Sequence, residues 1–319
     1  MHIARQGVAA GLAALIGVAS SSAAAQQADG QDAQQPSFRS DVQMVLHSVA
    51  VLGPDGEPVR GLQRGDFAVY EAEEKQDITV FLSPDESPLD VATVIDSSAS
   101  LSQYARLVRI AARSFFVALE PLDCVYLLPF NDEVGPGAWD RGLLMPRRVD
   151  GIFMQGGTAL YDALVHGMGV LNRTIESSPN TGCGNPIELA DSGRPARRRA
   201  VVLMTDGADE HSQARYDEVL DVADVTAIPI FPVLHGEAQR NDRLRALLER
   251  MAGETGGATV DAQTPDRLED AFADVVVMLR ASYLIGYLPP EGDEREQERS
   301  VRIRSRPGFR LVYRSTYWR

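Results

Sequence analysis

Hydroxyl and carboxylate side chains at three separated places in the sequence could together bind a metal ion. Asp96, Ser98 and Ser100 form a D-x-S-x-S segment directly after an apolar run. Thr158 follows two glycines, and Asp206 follows a second apolar run. Oxygen atoms of these kinds suit a hard cation such as Mg²⁺, which prefers octahedral oxygen coordination. The sequence therefore predicts one metal site, provided that the fold brings the three segments together.

Each segment also has a simpler interpretation. Asp and Ser after a strand are common turn and helix-capping residues, so residues 96–100 could form only a capped helix start. The dipeptide Asp206-Gly207 could likewise be a tight turn after a strand. The metal-site interpretation is favoured over these because all three segments lie at the ends of predicted elements of one α/β pattern.

The elements that must position these residues extend from Leu89 to about Ala281. Continuous apolar runs predict buried strands at 91–95, 125–130, 200–204, 228–234 and 258–260. Amphipathic stretches predict helices at 107–118 and near 159–173, 216–225, 242–252 and 265–279. Strands buried on both faces and separated by helices indicate an α/β fold with a doubly wound, mainly parallel sheet. Ligands of such a sheet bind beyond the carboxyl ends of its strands, so we expect the three segments to converge there.

Together, the three segments resemble the metal-ion-dependent adhesion site of the von Willebrand factor type A (VWFA) family. The family pattern is D-x-S-x-S, then a distant Thr, then a distant Asp, and the elements occur here in that order. The segments around Asp66-Phe67 and Tyr283-Leu284 further resemble exported bacterial proteins described as VWFA-related. One departure is Ala99, where many members have Gly between the two serines, and Ala requires ordinary backbone angles.

The resemblance implies a Rossmann-like VWFA fold that holds one divalent cation at the edge of its sheet. The cation would be Mg²⁺, or else Mn²⁺ or Ca²⁺, and its ligands would be Asp96, Ser98, Ser100, Thr158 and Asp206. In the family, the two serines bind through neutral hydroxyls and the two aspartates largely through waters. An ion with so few anionic ligands can accept a carboxylate from a partner protein. The resemblance thus implies a non-enzymatic, adhesion-type binding module with no catalytic residues.

The two ends of the chain differ from its centre in their pattern of apolar and polar residues. The apolar run 8–19, followed by an A-x-A cleavage site at Ala23-Ala24-Ala25, is typical of a signal peptide. Short alternating runs on both sides of the α/β region predict antiparallel strands, and we expect the two outer pieces to pair into one small β module. We predict, in order, a signal peptide (1–25), a polar linker (26–37), the N-terminal part of the β module (38–85), the VWFA domain (86–281) and the C-terminal part of the β module (282–319).

Export and charge restrict the partners of this protein. The predicted signal peptide implies a periplasmic or secreted location, and no later stretch reaches the ~20 apolar residues that a membrane-spanning helix needs. A formal net charge of -14 disfavours binding to nucleic acid or to an anionic membrane surface. The expected partner is a protein that offers a carboxylate. The sequence leaves its identity and the oligomeric state open.

Three further features have competing interpretations. Cys124 and Cys183 could form a disulfide in an exported chain, or Cys124 could be a small buried hydrophobe. The run 194–199, with four arginines, is typical of a solvated loop, with an anion or partner contact as the alternative. The tripeptide at 64–66 spells Arg-Gly-Asp, which between two strands more commonly forms a turn than a cell-attachment site.

Two other classes of function compete with metal-dependent binding. A serine hydrolase would need a histidine beside one of the serines, but the sequence contains no G-x-S-x-G elbow and no histidine near Ser98 or Ser100. A scaffolding subunit of a larger envelope assembly would resemble the VWFA proteins of metal chelatases, which work beside an ATPase. The sequence has no phosphate-binding G-x-x-x-x-G-K-[ST] loop of its own.

Overall fold

A six-stranded sheet lies between two layers of helices. The computed structural model describes residues 44–172, 183, 197–290 and 298–318, so the predicted signal peptide and linker lie outside the described residues. The strands are β1 (Val45–Leu52), β2 (Ala68–Glu71), β3 (Glu74–Gln76), β4 (Ile78–Leu82), β5 (Leu89–Asp96), β6 (Cys124–Phe130), β7 (Ala138–Arg141), β8 (Arg198–Thr205), β9 (Ile230–Leu234), β10 (Val260–Asp261), β11 (Ser282–Tyr287), β12 (Glu298–Arg304), β13 (Arg310–Val312) and β14 (Thr316–Trp318). The α-helices are α1 (Ala105–Ala118), α2 (Pro146–Val149), α3 (Leu160–Asn172), α4 (Tyr216–Thr226), α5 (Glu237–Arg240), α6 (Asp242–Thr255) and α7 (Leu268–Arg280).

The central sheet has the strand order β10-β9-β8-β5-β6-β7. All neighbouring strands in it are parallel except β6 and β7. Every residue of β5 is buried, as expected for a central strand that is covered on both faces. Among the described residues, no helix is long and apolar enough to span a membrane.

The side chains of β5 point alternately into two helical layers. Val91 and Ile95 pack in the core that includes α1 and α7. Ala92 and Val94 pack in the core that includes α3, α4 and α6. Because helices cover both faces of a mainly parallel sheet, the prediction of a doubly wound α/β fold is confirmed.

Some elements differ from the prediction in extent. The fourth predicted strand begins at Ile230 rather than at 228, and the fifth shrinks to Val260–Asp261. The antiparallel edge strand Ala138–Arg141 and the single-turn helices α2 and α5 were not predicted. Elements of four residues are too short to show a hydrophobic period, so their sequences carry no pattern to detect.

The outer parts of the chain form two four-stranded antiparallel sheets, with the orders β13-β1-β11-β4 and β14-β12-β2-β3. Each sheet joins N-terminal to C-terminal strands: β1 pairs with β11 and β13, and β2 pairs with β12. Apolar side chains of both sheets share one core, which includes Val49, Phe67, Tyr283, Tyr287 and Ile303. The expected small antiparallel β module, built from both ends of the chain, is confirmed.

Arg198 lies where the chain enters and leaves the α/β region. It is only 8% exposed. Its guanidinium donates to the backbone carbonyl of Ser87, just before β5, at 3.1 Å. It also donates to the carbonyls of Leu279 and Ser282, at the end of α7 and the start of β11, at 2.7 and 3.0 Å. Hydrogen bonds from one side chain therefore connect the two places where the chain passes between the α/β region and the antiparallel sheets.

The interpretation of the arginine run as a solvated loop is wrong for its last three members. Arg194 lies outside the described residues, but Arg197 is ion-paired with Asp90 at 2.7 Å and Arg199 donates to the Thr226 carbonyl. Like Arg198, these arginines bind groups at the amino end of the sheet. Carbonyls at chain crossings and helix ends need donors, and long basic side chains reach them from the start of β8.

The two cysteines form a disulfide, with their Cα atoms 5.6 Å apart. Cys124, the first residue of β6, is also fully buried, so it is both bonded and part of the interior. The Arg-Gly-Asp tripeptide forms the short 3₁₀ helix Arg64–Asp66. The Asp66 carboxylate is ion-paired with Arg306 at 2.6 Å, so it is engaged within the β module.

His47 is a buried histidine in the core of the β module. Its ring is 2% exposed, stacks on Tyr287, and neither ring nitrogen has a hydrogen-bond partner among the described residues. Burial, together with the charge of Arg314, lowers the pKa of His47 to about 3. Because its pKa in the unfolded chain is ~6.5, the unfolded state binds the proton more tightly. The stability that depends on neutral His47 is therefore fully present above pH ~6.5 and is lost as the pH falls toward 3.

We expect acidification from pH 7.5 to 5 to remove about 2 kcal/mol of stability through His47 alone, at ~1.4 kcal/mol per pH unit below 6.5. The substitution His47→Phe keeps an aromatic ring against Tyr287 and removes the titrating group. Urea unfolding at the two pH values should show a smaller loss in the variant than in the wild type. Equal losses in the two proteins would rule out His47 as the cause.

Candidate metal centre

Parallel strands place the three candidate segments at one edge of the sheet. β5 ends at Asp96, and its neighbour β8 ends at Thr205, directly before Asp206. The third segment, Gly156-Gly157-Thr158, lies just before α3, which begins at Leu160. This is the edge at which ligands of doubly wound sheets bind.

Four of the five predicted ligands are linked directly by hydrogen bonds. The Ser98 and Ser100 Oγ atoms are 2.9 Å apart. The Ser100 hydroxyl donates to Asp206 Oδ1 at 2.8 Å, although the two residues are 106 positions apart in the sequence. The backbone N–H of Ser98 donates to Asp96 Oδ1 at 2.8 Å. The first and third segments therefore meet side chain to side chain.

The loop that leads to Thr158 is hydrogen-bonded to the first segment through its backbone. Gln155 N–H donates to Ser97 O at 2.7 Å, and Ala99 N–H donates to Gly156 O at 3.1 Å. A Cβ placed on Gly207 would lie 3.5 Å from Thr158 Oγ1, so this hydroxyl is beside the residue that follows Asp206. Thr158 thus lies at the same edge of the sheet as the other four predicted residues, with its hydroxyl beside Gly207.

Thr205 and Gly236 contribute to the site in ways that the motif did not indicate. The Thr205 hydroxyl donates to Asp96 Oδ2 at 2.7 Å, so both oxygens of this buried carboxylate are hydrogen-bonded. Gly236 has a φ of 60°, and a Cβ placed there would lie 2.8 Å from the Cβ of Asp206. The available sequence signals were a hydroxyl residue at the end of β8 and a glycine after β9.

The site combines buried carboxylates with an accessible hydroxyl. Asp96 and Asp206 are 0% and 6% exposed, whereas Ser100 is exposed. Burial raises the pKa of both carboxyl groups, that of Asp206 to about 6, and the charge of Asp96 contributes to the shift of Asp206. Hydrogen bonds from hydroxyls offset part of this desolvation, but no cationic side chain pairs with either carboxylate among the described residues. A divalent cation would supply the missing positive charge.

The donor set fits a hard cation. It consists of two carboxylates and three hydroxyls, and such oxygen ligands suit Mg²⁺, Mn²⁺ or Ca²⁺. Within the described part of the chain, no group of three or more His, Cys, Asp or Glu side chains could hold a metal. The hydroxyls of Ser98 and Ser100 bond to each other and to Asp206, and neither bonds to a histidine among the described residues. Among the described residues, these two serines therefore show no hydrogen bond of the serine-histidine kind that a hydrolase uses.

The chain matches no protein-family model and no curated protein sequence. Similar solved structures include a von Willebrand factor type A protein from Catenulispora acidiphila, with 13% identity, a TM-score of 0.44, and 87% of this chain and 75% of that chain covered. The vWF domain of the type V pili tip protein Mfa5 from Porphyromonas gingivalis is 12% identical, with a TM-score of 0.42 and coverage of 60% and 94%. The PilB minor pilin from Streptococcus sanguinis is 13% identical, with a TM-score of 0.41 and coverage of 61% of this chain and 62% of the pilin.

These three neighbours are two von Willebrand type A proteins or domains and one pilin, and the first two carry the name of the family that the sequence motifs resemble. Their identities and TM-scores are low, so they add no support to an assignment of function. The fold rests on the strand order and the two helical layers of this chain. The arguments about the site rest on its own hydrogen bonds and burial.

Proposed function

We propose that this chain is an exported, non-enzymatic protein-binding module that uses one divalent cation to capture an acidic residue of a partner. The cation would be Mg²⁺, with Mn²⁺ or Ca²⁺ as substitutes, held by Asp96, Ser98, Ser100, Thr158 and Asp206. The observation that carries the proposal is the continuous series of contacts from Ser98 through Ser100 to Asp206, at 2.9 and 2.8 Å, where two parallel strands end.

The chemistry of the ligand set explains why such a site would bind rather than catalyse. Ser98, Ser100 and Thr158 offer neutral hydroxyls, so the cation would keep enough positive charge to accept a further carboxylate. Asp96 and Asp206 are held in place by hydroxyl donors and would orient the site. Ser100 is exposed, which gives a partner side chain access from the edge of the sheet.

Two features support a location outside the cytoplasm. A disulfide such as Cys124–Cys183 persists in oxidising compartments. The predicted signal peptide at 1–25 would deliver the chain to the periplasm or the medium. In the proposed organisation, the VWFA domain at 86–281 is inserted between the two parts of the β module at 38–85 and 282–319. This insertion would leave the candidate metal centre accessible to a partner.

The proposal predicts that Asp206→Ala weakens Mg²⁺ binding about 10- to 100-fold, the usual cost of losing one group of a metal site or its supporting shell. Titration calorimetry with MgCl₂ and MnCl₂ measures the affinity, and circular dichroism checks the fold. The matched control is Asp55→Ala, which removes an exposed carboxylate from a turn of the β module and should leave the affinity unchanged. Equal Mg²⁺ affinities of the wild type and Asp206→Ala would contradict the proposal.

The same proposal predicts a metal-dependent partner. Envelope proteins retained by the immobilised chain in Mg²⁺ should be released by EDTA and should not be retained by Asp206→Ala. A partner retained equally in EDTA would instead indicate a scaffolding subunit of a larger assembly, in which binding does not use the cation.

A further inference from the structure

A groove lies beside the candidate metal centre, on the side of Asp206. Its volume is about 370 Å³, and its lining includes Tyr104, Gly236, Gln239, Arg240 and Thr264. This volume is within the range of pockets that take small ligands or side chains. The groove shares a wall with the metal site, because the backbone of Gly236 lies against the side chain of Asp206. A partner residue bound at the metal would therefore place its neighbours at the mouth of the groove.

Arg240 is an uncompensated cation in this groove. It is the last residue of α5 and is exposed, and its guanidinium has no ion pair or hydrogen bond with any described residue. The other arginine of the lining, Arg245, is ion-paired with Asp261 at 2.5 Å and with Glu249 at 3.6 Å. Of these two described arginines, Arg240 is thus the one that can bind an incoming anion. A guanidinium is well suited to this role because its planar donors match a carboxylate.

The opposite side of the metal centre is acidic. The Asp132 side chain covers Gly156, and the backbone N–H of Glu210 donates to the carbonyl of Thr158 at 2.9 Å. Asp132, Glu133 and Glu210 are all exposed. The groove side is mixed in charge, because Glu237 at the start of α5 is exposed and Asp261 lines the groove, but it is the side that offers the unpaired guanidinium of Arg240. The Thr158 side offers exposed carboxylates, which repel an incoming anion.

We propose that the partner segment carries two carboxylates, of which the first completes the metal site and the second binds Arg240 in the adjacent groove. This inference rests on the proposed function and names the chemistry of its partner. The acidic side around Asp132 and Glu210 sets the direction of the segment, since the second carboxylate is excluded from it and a basic or neutral residue is accepted there.

The test uses a phage-displayed library of random peptides as the probe. The full chain is immobilised in Mg²⁺, and bound phage are eluted with EDTA. The expected peptides carry two acidic residues at a fixed spacing. Selection on Arg240→Gln should retain the first acidic residue and lose the preference for the second. The control Arg147→Gln removes an exposed charge of α2, outside the groove, and should select the same peptides as the wild type.

A synthetic peptide from the wild-type selection allows a double-mutant cycle. Arg240→Gln should weaken its binding about threefold to fivefold, as expected for one accessible ion pair. When the second acidic residue of the peptide is replaced by Ala, the wild type and Arg240→Gln should bind it equally. Mg²⁺ affinity measured by calorimetry should be the same in both proteins, which separates the groove from the metal site.

Different results would contradict the assignment of the groove and the proposed metal-dependent function. Peptides with a single acidic residue, or equal binding of the two-acid peptide by the wild type and Arg240→Gln, would overturn the assignment of the groove and leave metal-dependent capture intact. Absence of any EDTA-eluted peptide would overturn both.

Discussion

Replacing Arg198 by methionine should lower the free energy of unfolding by about 3 to 5 kcal/mol, a large cost for one side chain. Methionine retains an unbranched apolar stem but has no donors. The carbonyls of Ser87, Leu279 and Ser282 would then lose a buried, charged partner. Burial lowers the pKa of Arg198 only to about 10, so the wild-type group is charged at neutral pH and its hydrogen bonds are charge-assisted.

Urea unfolding at pH 7.5 measures this effect. The control Arg147→Met replaces an exposed arginine of α2 and should change stability by less than about 0.5 kcal/mol. A cost for Arg198→Met as small as that of the control would show that other donors satisfy the three carbonyls. A cost accompanied by a second unfolding transition would show that Arg198 couples the β module to the α/β region.

The strands that position the site were predictable from the sequence because their residues are buried on both faces of the sheet. β5 is buried along its whole length, so its apolar run had few alternatives to a central parallel strand. Once both apolar runs were predicted to be strands of one parallel sheet, Asp96 and Asp206 had to emerge at the same edge. The structure places Ser100 on Asp206 at 2.8 Å, in agreement with that expectation. The metal itself stays a prediction.

Long-range polar contacts were not predictable, because charge patterning along a chain reports composition rather than geometry. Arg197 and Arg199 looked like members of a solvated loop, yet they bind Asp90 and the Thr226 carbonyl. Which carbonyls need a donor depends on where the chain crosses between sheets, and that is a property of the assembled fold. The same reason hid the role of Thr205, whose hydroxyl holds Asp96 only when β5 and β8 are adjacent.

The groove beside the candidate metal centre depends on the backbone conformation of Gly236, which no sequence motif specifies. Gly236 follows β9 with a positive φ, and the start of α5 lies beside Asp206, where Ala238 N–H donates to the Asp206 carbonyl. A single glycine after a strand is common in sequences, so it predicted a turn but not the direction of that turn. The partner chemistry inferred from Arg240 could therefore be proposed only from the structure.

Reduction of the Cys124–Cys183 disulfide should lower the free energy of unfolding by about 4 kcal/mol, the loop-closure estimate for a crosslink of this span. The two residues are 59 positions apart, so the bond removes much conformational freedom from the unfolded chain. Unfolding in urea with and without dithiothreitol measures the difference. The double variant Cys124→Ala/Cys183→Ala should show no effect of dithiothreitol, which controls for other actions of the reductant.

Because of its position in the fold, we expect this disulfide to affect the stability of the protein but not its affinity for the metal. Cys124 begins β6 and lies opposite Asp90, at the start of β5, whereas the candidate metal centre lies at the opposite end of both strands, beyond Asp96 and Phe130. Reduction should therefore leave Mg²⁺ affinity unchanged under conditions in which the protein stays folded. Calorimetry in dithiothreitol, with circular dichroism to confirm folding, tests this. A large loss of affinity in the folded, reduced protein would show that the bond positions the site, because a purely entropic crosslink acts on the unfolded chain and cannot change the native ligand geometry.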